Sequence, residues 1–212
     1  MGPTGLSTAS PVFLFNQNFD NPGYDPSSQF TLVEEEGGSE SMGLSGSDFV
    51  SAPESLSVSS STGAGPGSGI YTSPGAVPYL SGYDYYLDTY VDFEGIAGTG
   101  VKSELVLVLN GSIVASVGYL SSASEIYTYN NYSVINLATY SGSVFQHFVL
   151  YWNHSNGLSA VAVNGSILSQ NLMGTRPEPS GSPLTCAGVY FPASTSAGYS
   201  YVLIDNLSIY HY

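Results

Sequence analysis

The chain has 212 residues, and its sixteen acidic side chains are accompanied by only two Lys or Arg residues, Lys102 and Arg176, which gives a formal net charge of −14 at pH 7. This balance excludes nucleic acid as a partner, because almost nothing in the chain could neutralise phosphates. It also excludes a fold held together by ion pairs, so we expect protonation of the carboxylates to leave an acid-stable protein.

Strand patterns begin near the N-terminus, and helix patterns are almost absent. Residues 1–11 show no alternation and predict an N-terminal arm, whereas 12–19, 29–33 and 55–59 read as strands. Residues 60–78 are rich in Gly, Ser and Pro without periodicity, which predicts a long surface loop. We therefore expect a single domain over 12–212. No run approaches the length of a membrane-spanning helix, so we expect no membrane span.

The next strand pattern, at 82–95, alternates almost without error. One side carries the residues suited to a core: Tyr83, Tyr85, Leu87, Thr89, Val91 and Phe93. The other side mixes carboxylates with tyrosines: Asp84, Tyr86, Asp88, Tyr90, Asp92 and Glu94. That side is either a solvated sheet face or a carbohydrate-binding face, since tyrosine rings stack on sugars and carboxylates accept hydrogen bonds from vicinal hydroxyls.

Two hairpins are marked by Asn-Gly pairs, at Asn110-Gly111 and Asn164-Gly165, each between alternating runs. The chain ends on another long alternating run, 199–212. Ten or more strands with hairpin turns and one long early loop predict an all-β protein, a two-sheet antiparallel jelly-roll β-sandwich.

Four short pieces together resemble the concanavalin A-like lectin/glucanase superfamily, which includes laminin-G-like domains and carbohydrate-binding modules. The pieces are Phe19-Asp20 and the segments 51–58, 148–165 and 202–210. The resemblance implies a jelly roll and a structural Ca²⁺ shared by Asp20 and Asp205, which Asp25 could join from a loop. The alternative is that Asp20 and Asp205 accept hydrogen bonds from turn amides.

Catalytic signatures are missing from the sequence. The glycosidases of the superfamily carry two Glu flanking an Asp on one strand, and neither Glu34-Glu35-Glu36 nor the pair Asp92 and Glu94 has that spacing. The three His residues lie on separate segments without metal-ligand spacing, so we expect no zinc site. We therefore predict no catalytic residues and no enzymatic activity.

An exterior location is predicted from composition and sequons. Asn110, Asn131, Asn153 and Asn164 are candidate glycosylation sites, whereas the fifth sequon, at Asn206, lies inside a strand pattern. The Ser, Tyr and Asn richness resembles surface proteins of thermoacidophilic archaea or their viruses. The first residues lack a secretory leader pattern, so either a leader has been removed or the protein reaches the surface as a virion component.

These observations favour a non-catalytic exterior protein, extracellular or on a virion, that forms homo-oligomers or joins other surface subunits and adheres to glycans. Alternatives are a stand-alone secreted carbohydrate-binding module and a glycoside hydrolase.

Overall fold

The computed structural model describes residues 10–21, 23–33, 38–62, 68–73, 77–93, 102–140, 144–173, 186–191 and 198–212. In the first half of the chain the strands are β1 (Val12–Gln17), β2 (Phe30–Val33), β3 (Gly38–Ser45), β4 (Ser55–Thr62), β5 (Ser68–Thr72), β6 (Tyr85–Asp92) and β7 (Lys102–Leu109). In the second half they are β8 (Ser112–Leu120), β9 (Glu125–Asn130), β10 (Ser133–Thr139), β11 (Gln146–Trp152), β12 (Leu158–Val163), β13 (Ser166–Met173), β14 (Cys186–Phe191) and β15 (Gly198–His211).

The strands pair into two antiparallel sheets. The eight-stranded sheet has the order β13-β12-β11-β6-β15-β4-β3, and β1 also pairs with β15. The seven-stranded sheet has the order β10-β9-β8-β7-β14-β5-β2. The only helical element in the described residues is a 3-10 turn, Pro26–Ser28. The described residues therefore contain no helix long and apolar enough to cross a membrane. The predicted all-β, two-sheet antiparallel jelly-roll sandwich is confirmed.

Both predicted hairpins are present, and their turns have the backbone that Asn-Gly favours. Asn110 and Gly111 have φ values of 51° and 73°, and Asn164 and Gly165 have 50° and 78°. Positive φ at both central residues matches the right-handed twist of the two strands that the turn joins. The turns connect β7 to β8 and β12 to β13.

The prediction that 60–78 is a long surface loop is wrong, because the segment contains strand structure. Strand β4 continues to Thr62, and β5 lies between β14 and β2 in the seven-stranded sheet. Ile70 faces the core and Tyr71 the opposite side of that sheet. A five-residue strand flanked by Gly and Ser is too short to show alternation in the sequence. Residues 1–9 of the predicted arm lie outside the described residues.

The core between the sheets is built from aliphatic and aromatic side chains. The inward side of β6 contributes Tyr85, Leu87 and Val91, followed by Phe93, as its alternation predicts. Tyr83, predicted on the same side, is instead 40% exposed because it precedes the strand. Burying one such side chain stabilises the fold by about 1.5–3 kcal/mol. The ion pairs found in the described residues both involve His, so the core and not charge holds these sheets.

A bulge in β15 sets which of its side chains reach the outer face of the eight-stranded sheet. The register shifts between Asp205 and Ser208, and Asn206 has φ 52°. Before the bulge Ile204 points into the core, and after it Ile209 does, so the inward positions change from even to odd numbers. As a result Ser208 and Tyr210 lie beside the outward residues of β6.

Candidate functional site

The predicted carbohydrate face lies on β6, between β11 and β15 in the eight-stranded sheet. Asp84 precedes the strand, and Tyr86, Asp88 and Tyr90 alternate along it; all four side chains are half-buried. Residues of an extended strand rise about 3.3 Å each, so Asp84 and Asp88 stand about 13 Å apart on either side of Tyr86. The structure thus brings four of the six predicted site residues to one open face.

Asp92 does not belong to this open face, and Glu94 lies outside the described residues. Asp92 is 3% exposed, and its Oδ1 accepts a 2.8 Å hydrogen bond from the hydroxyl of Tyr140. Tyr140 follows β10 of the other sheet, so a residue from across the sandwich covers this end of β6. Alternation along one strand cannot show which other segment covers it.

An aromatic row crosses the sheet at right angles to its strands. Phe13 of β1 is paired with Tyr210, Tyr210 with Tyr86, and Tyr86 with Tyr151 of β11. The centroids of successive rings are 5.5, 5.1 and 4.8 Å apart. Tyr86 and Tyr210 are parallel within 3°, so each covers a face of the other and offers solvent its rim and hydroxyl. Tyr212 stands nearly perpendicular to both and is 38% exposed.

Asp84 anchors one flank of the row. It accepts hydrogen bonds from the Tyr151 hydroxyl at 2.7 Å, from the Asn153 amide at 3.2 Å and from the His154 backbone at 3.0 Å, and the His154 ring lies 2.8 Å away. Burial alone would raise the pKa of Asp84, but the hydrogen bonds from Tyr151 and His154, with the charge of the His154 ring, hold it below its usual value. Burial and the Asp84 carboxylate raise the pKa of Tyr151 to about 12, so its hydroxyl stays a donor.

Asp88 anchors the other flank through His147. The His147 Nε2 atom lies 2.6 Å from Asp88 Oδ1, and the imidazole stacks on Tyr90 with centroids 4.8 Å apart. The His147 backbone N–H donates to Oδ1 of Asn164, which ties β11 to the tip of the hairpin between β12 and β13. No group of three or more His, Cys, Asp and Glu side chains suited to a metal ion is found among the described residues.

The sequence pattern did not identify several residues of this face: Phe13, Tyr210, Tyr212, Tyr151, His147 and His154. Most of them lie in strand patterns that the sequence shows, at 12–19, 145–153 and 199–212, whereas His154 lies in the turn after β11. Cross-strand register was the missing information, because a shift of one residue would turn each of these side chains to the opposite side of the sheet.

The predicted calcium ligands Asp20 and Asp205 do meet, at Ser51. The Ser51 hydroxyl oxygen lies 3.0 Å from Asp20 Oδ1, 3.2 Å from Asp205 Oδ1 and 3.5 Å from the Asn18 carbonyl oxygen. Oδ1 of Asn206 is 3.4 Å from it as well. One hydroxyl proton satisfies only one of these acceptors at a time. An all-oxygen set of this kind fits Ca²⁺.

The alternative assignment, turn capping, also has support at this cluster. Asp205 is fully buried, and its Oδ2 accepts hydrogen bonds from the backbone N–H groups of Val50 and Ser51, both at 2.8 Å. Burial raises the pKa of Asp205 although these bonds oppose the shift. Asp25 is not part of the cluster's contacts, because its Oδ1 accepts from the Ser27 backbone N–H and hydroxyl and caps the 3-10 turn.

The candidate glycosylation sites differ in how free their side chains are. Asn110, Asn131 and Asn164 are exposed in turns, although Asn164 already accepts the His147 hydrogen bond. Asn153 is engaged on both ends of its amide: Nδ2 donates to Asp84, and Oδ1 accepts from Ser155. A glycan on Asn153 would replace one of the two Nδ2 hydrogens and so remove one of the bonds that Nδ2 donates, to Asp84 or to Tyr151.

The outer side of the seven-stranded sheet is buried at β5, β7, β8 and β14, in contrast to the tyrosine row. Its buried cluster is separate from the core: Tyr71, Val106, Val108, Ile113 and Tyr190. Beside it the Tyr127 hydroxyl donates a 2.5 Å hydrogen bond to the fully buried Glu104, and Lys102 Nζ lies 5.4 Å from the centre of the Tyr127 ring. The sequence analysis did not predict this pair, Glu104 and Tyr127, and both side chains are shielded from solvent.

Similarity to known proteins is seen in the fold and not in sequence. No family model and no curated protein matches the chain. A cellulose-induced protein, Cip1, is 16% identical with a TM-score of 0.63, over 92% of this chain and 96% of that one. A carbohydrate esterase of the Shiga toxin-encoding bacteriophage phi24B is 9% identical with a TM-score of 0.63, over 95% and 99%.

A sialidase is also similar in fold, at 9% identity and a TM-score of 0.61. The match covers 93% of this chain but only 18% of the sialidase. The common element is thus a β-sandwich found in carbohydrate-related proteins.

The prediction of no enzymatic activity is wrong. It rested on the missing two-carboxylate signature, but structures with this fold include proteins named as a sialidase and a carbohydrate esterase. One absent motif excludes one mechanism, and a fold of this kind hosts several.

Proposed function

We propose that the chain recognises carbohydrate through the tyrosine face, which we define as Tyr86, Tyr151, Tyr210 and Tyr212 with Asp84 and Asp88. The observation that carries the proposal is the row of half-exposed tyrosines flanked on both sides by carboxylates whose acceptor atoms are oriented by neighbours. The carbohydrate-related names of the fold neighbours support it. Sugars suit such a surface because they present apolar C–H patches and hydroxyl donors together.

The charge of the face selects the class of sugar. Asp84 and Asp88 are acidic, and Lys102, the Lys or Arg residue within the described part of the chain, lies on β7 in the other sheet. A carboxylated or sulfated sugar would bring negative charge toward an acidic face of a chain of net charge −14. The ligand we propose is therefore a neutral oligosaccharide.

Tyr212 gives the clearest mutational test of the tyrosine face. Its ring is exposed and rests on Tyr86 and Tyr210. Tyr86, in contrast, is stacked on Tyr210, contacts the tilted ring of Tyr151 and helps hold the sheet. We expect Tyr212→Ala to weaken binding of a neutral oligosaccharide at least tenfold, or about 1.4 kcal/mol. The matched control is Tyr199→Ala, an exposed tyrosine at the opposite end of β15.

The experiment is a glycan array with neutral and acidic oligosaccharides, followed by calorimetry of the hits with both variants. Release of reducing ends is measured in the same samples, because the fold also hosts enzymes. Binding of a neutral glycan that Tyr212→Ala weakens and Tyr199→Ala does not would support the proposal. Absence of any neutral hit, or equal binding by both variants, would overturn it.

An exterior location is part of the proposal, whether extracellular or on a virion surface. It is supported by exposed sequon residues at Asn110 and Asn131 and by a ligand class that is abundant outside cells. Expression in a glycosylating host with a leader added should give a mass loss on treatment with an amidase that removes N-glycans. No change in mass would contradict glycosylation at these positions.

We also propose that Asp20, Asp205, Asn206, Ser51 and the Asn18 carbonyl hold a structural Ca²⁺. The convergence of acceptor oxygens on one hydroxyl supports this. The ion would neutralise two carboxylates and join the segment after β1 to the bulge of β15.

A further inference from the structure

The aromatic row ends at Tyr151, and the eight-stranded sheet continues past it with β12 and β13. Inside the row, Tyr86 and Tyr210 cover each other's faces, so those faces are closed to a sugar ring. Tyr151 contacts Tyr86 on one side, with centroids 4.8 Å apart. On the other side its partner across the sheet is Ala160 of β12, whose methyl group is too small to cover a phenol ring. The Tyr151 ring therefore keeps one side open above β12.

Two alanines form a low strip on the outer side of β12. Val161 and Val163 point into the core, so Ala160 and Ala162 point outward, and both are half-buried. Neither alanine extends beyond a methyl group. The strip therefore lies lower than the longer side chains on β11 and β13.

The neighbouring strands form the walls of this strip. We call the whole feature the alanine trough, and its lining residues are Tyr151, Val149, Ala160, Ala162, Gln170 and Ile167. Tyr151 and the exposed Gln170 lie on opposite sides of Ala160. Adjacent strands are about 4.8 Å apart, so about 10 Å separates the backbones of Tyr151 and Gln170. A ring between two walls makes two contacts of about 3.5–4 Å each, so the trough is wide enough for a single ring.

We propose that one ring of the neutral oligosaccharide binds in the alanine trough, with its C–H face on Tyr151. This inference rests on the proposed carbohydrate function and locates the stacking contact within it. The trough combines an apolar floor, the open side of an aromatic ring and, at Gln170, an amide that both donates and accepts hydrogen bonds. A hexose ring is complementary to this combination, because its faces carry C–H groups and its rim carries hydroxyls.

The trough carries no charge, which fits a neutral ligand. Neither β12 nor β13 contains Asp, Glu, Lys, Arg or His. Asp88 lies one strand away, beside Val149, and its Oδ1 atom is already in contact with His147. A charged sugar would lose hydration in the trough without gaining a charged partner there.

The opposite end of the aromatic row lacks a comparable floor. Phe13 is 55% exposed and contacts Tyr210. Within the described part of the chain, its strand β1 pairs with β15 and with no strand beyond. A sugar on Phe13 would therefore have an aromatic contact but neither a floor nor an opposing amide.

One oligosaccharide can contact both the trough and Tyr212. Tyr212 follows β15 and Tyr151 lies on β11, and these two strands flank β6 on either side. Two strand spacings amount to about 10 Å, so a ligand of more than one ring reaches from one to the other. The trough and Tyr212 can therefore be tested separately with the same ligand.

The main test fills the trough without adding an aromatic ring. Ala160→Ile places a larger side chain where the sugar would lie, and isoleucine suits a strand. We expect binding at least tenfold weaker by calorimetry, with cellohexaose, mannohexaose and the tightest neutral hit of the glycan array as probes. The control is Ala123→Ile, the same change at an exposed turn residue between β8 and β9 of the other sheet, which should bind as the wild type does.

Two further measurements decide the case if Ala160→Ile misfolds, as circular dichroism would show. Gln170→Ala removes the amide at an exposed position, and we expect binding to weaken several-fold. In the wild type with isotope-labelled alanine methyl groups, bound sugar should shift the NMR signals of Ala160 and Ala162. The methyl signal of Ala115, in the core, should stay in place.

Wild-type affinity in a folded Ala160→Ile, or methyl signals of Ala160 and Ala162 that do not move on binding, would overturn the inference. If Tyr212→Ala still weakens binding in that case, the proposed carbohydrate function stands and the sugar lies elsewhere on the tyrosine face. Absence of any neutral ligand would overturn both proposals.

Discussion

The hydroxyl of Tyr140 donates a 2.8 Å hydrogen bond to Oδ1 of Asp92 and so joins the end of β6 in one sheet to the residue after β10 in the other. The same hydroxyl oxygen accepts from the Phe93 backbone N–H at 3.1 Å. Burial raises the pKa of Tyr140, and the hydrogen bond and charge of Asp92 raise it further. The phenol therefore keeps its proton near neutral pH and donates it to Asp92.

Tyr140→Phe removes the proton that this buried carboxylate accepts. Loss of a donor to a buried charged acceptor costs about 1–3 kcal/mol, so we expect the free energy of unfolding to fall by that amount. Urea denaturation should show a lower midpoint with an unchanged slope. Tyr132→Phe removes an exposed hydroxyl and serves as the control. Equal midpoints for the two variants would contradict a structural role for the bond.

Asp92 also shows where sequence pattern stops being informative. The alternation of 82–95 predicted correctly that Leu87 and Val91 are inside and that Asp84, Tyr86 and Asp88 are outside. At Asp92 the same rule failed, because a residue of the other sheet covers it. Period-two patterning records which side of one strand a residue occupies, whereas burial there depends on segments distant in the sequence.

The tyrosine face illustrates the same limit. Asn-Gly turns set the pairing next to the turn in two hairpins, Leu109 with Ser112 and Val163 with Ser166, since their geometry is local. The pairing of Tyr210 with Tyr86 joins residues far apart in sequence and depends on the bulge next to Asn206. Asp20 and Asp205 came together as the family resemblance implied, but their meeting point, Ser51, carried no signal of its own.

The carboxylate of Asp84 should make stability depend on pH in a definite direction. The pKa of Asp84 is lowered in the folded state. Its contribution to the free energy of unfolding is therefore fully present above the ordinary Asp pKa of about 3.9, and it is lost as the pH falls through the pKa of the folded state. We expect Asp84→Asn to be less stable than the wild type near neutrality and the difference to shrink in acid.

Urea midpoints at several pH values between about 6 and 2 measure this difference. The pKa of Asp205 is raised in the folded state, so its contribution to the free energy of unfolding changes with pH in the opposite direction. That contribution is the same in the wild type and in Asp84→Asn. Asp48→Asn, at an exposed acid, controls for the change in net charge. A difference between Asp84→Asn and wild type that stays constant or grows in acid would show that the network around Asp84 does not stabilise the fold.

Gly188 in β14 allows β14 to lie close to its neighbour β5 within the seven-stranded sheet. A Cβ at this position would lie 2.1 Å from the Ile70 carbonyl oxygen and 2.8 Å from the Tyr71 ring. The backbone of Ile70 can move away only at a cost in free energy, so we expect Gly188→Ala to lower the free energy of unfolding by at least about 1–3 kcal/mol. At Gly43 in β3 the corresponding Cβ meets only Ser57 Oγ, at an ordinary 3.6 Å. Gly43→Ala should unfold at the wild-type temperature, and an equal loss in both variants would contradict the packing argument.

Calcium should stabilise the chain through the cluster at Ser51. An ion that binds only the folded state adds about 2.7 kcal/mol at a hundredfold excess over its dissociation constant. We expect added CaCl₂ to raise the unfolding temperature of the wild type and to leave Asp20→Asn unchanged, because that variant loses one of the two carboxylates. Asp25→Asn should respond as the wild type does, since Asp25 caps the 3-10 turn instead.

The response to calcium should also fade in acid, as the ligand carboxylates take up protons. Equilibrium dialysis with Ca²⁺ alone gives the stoichiometry, expected to be one ion per chain by this geometry. If the unfolding temperature does not move with calcium, or if Asp20→Asn responds as strongly as the wild type, then the Asp20 and Asp205 carboxylates serve only to accept the hydrogen bonds of Ser51, Val50 and Asn206.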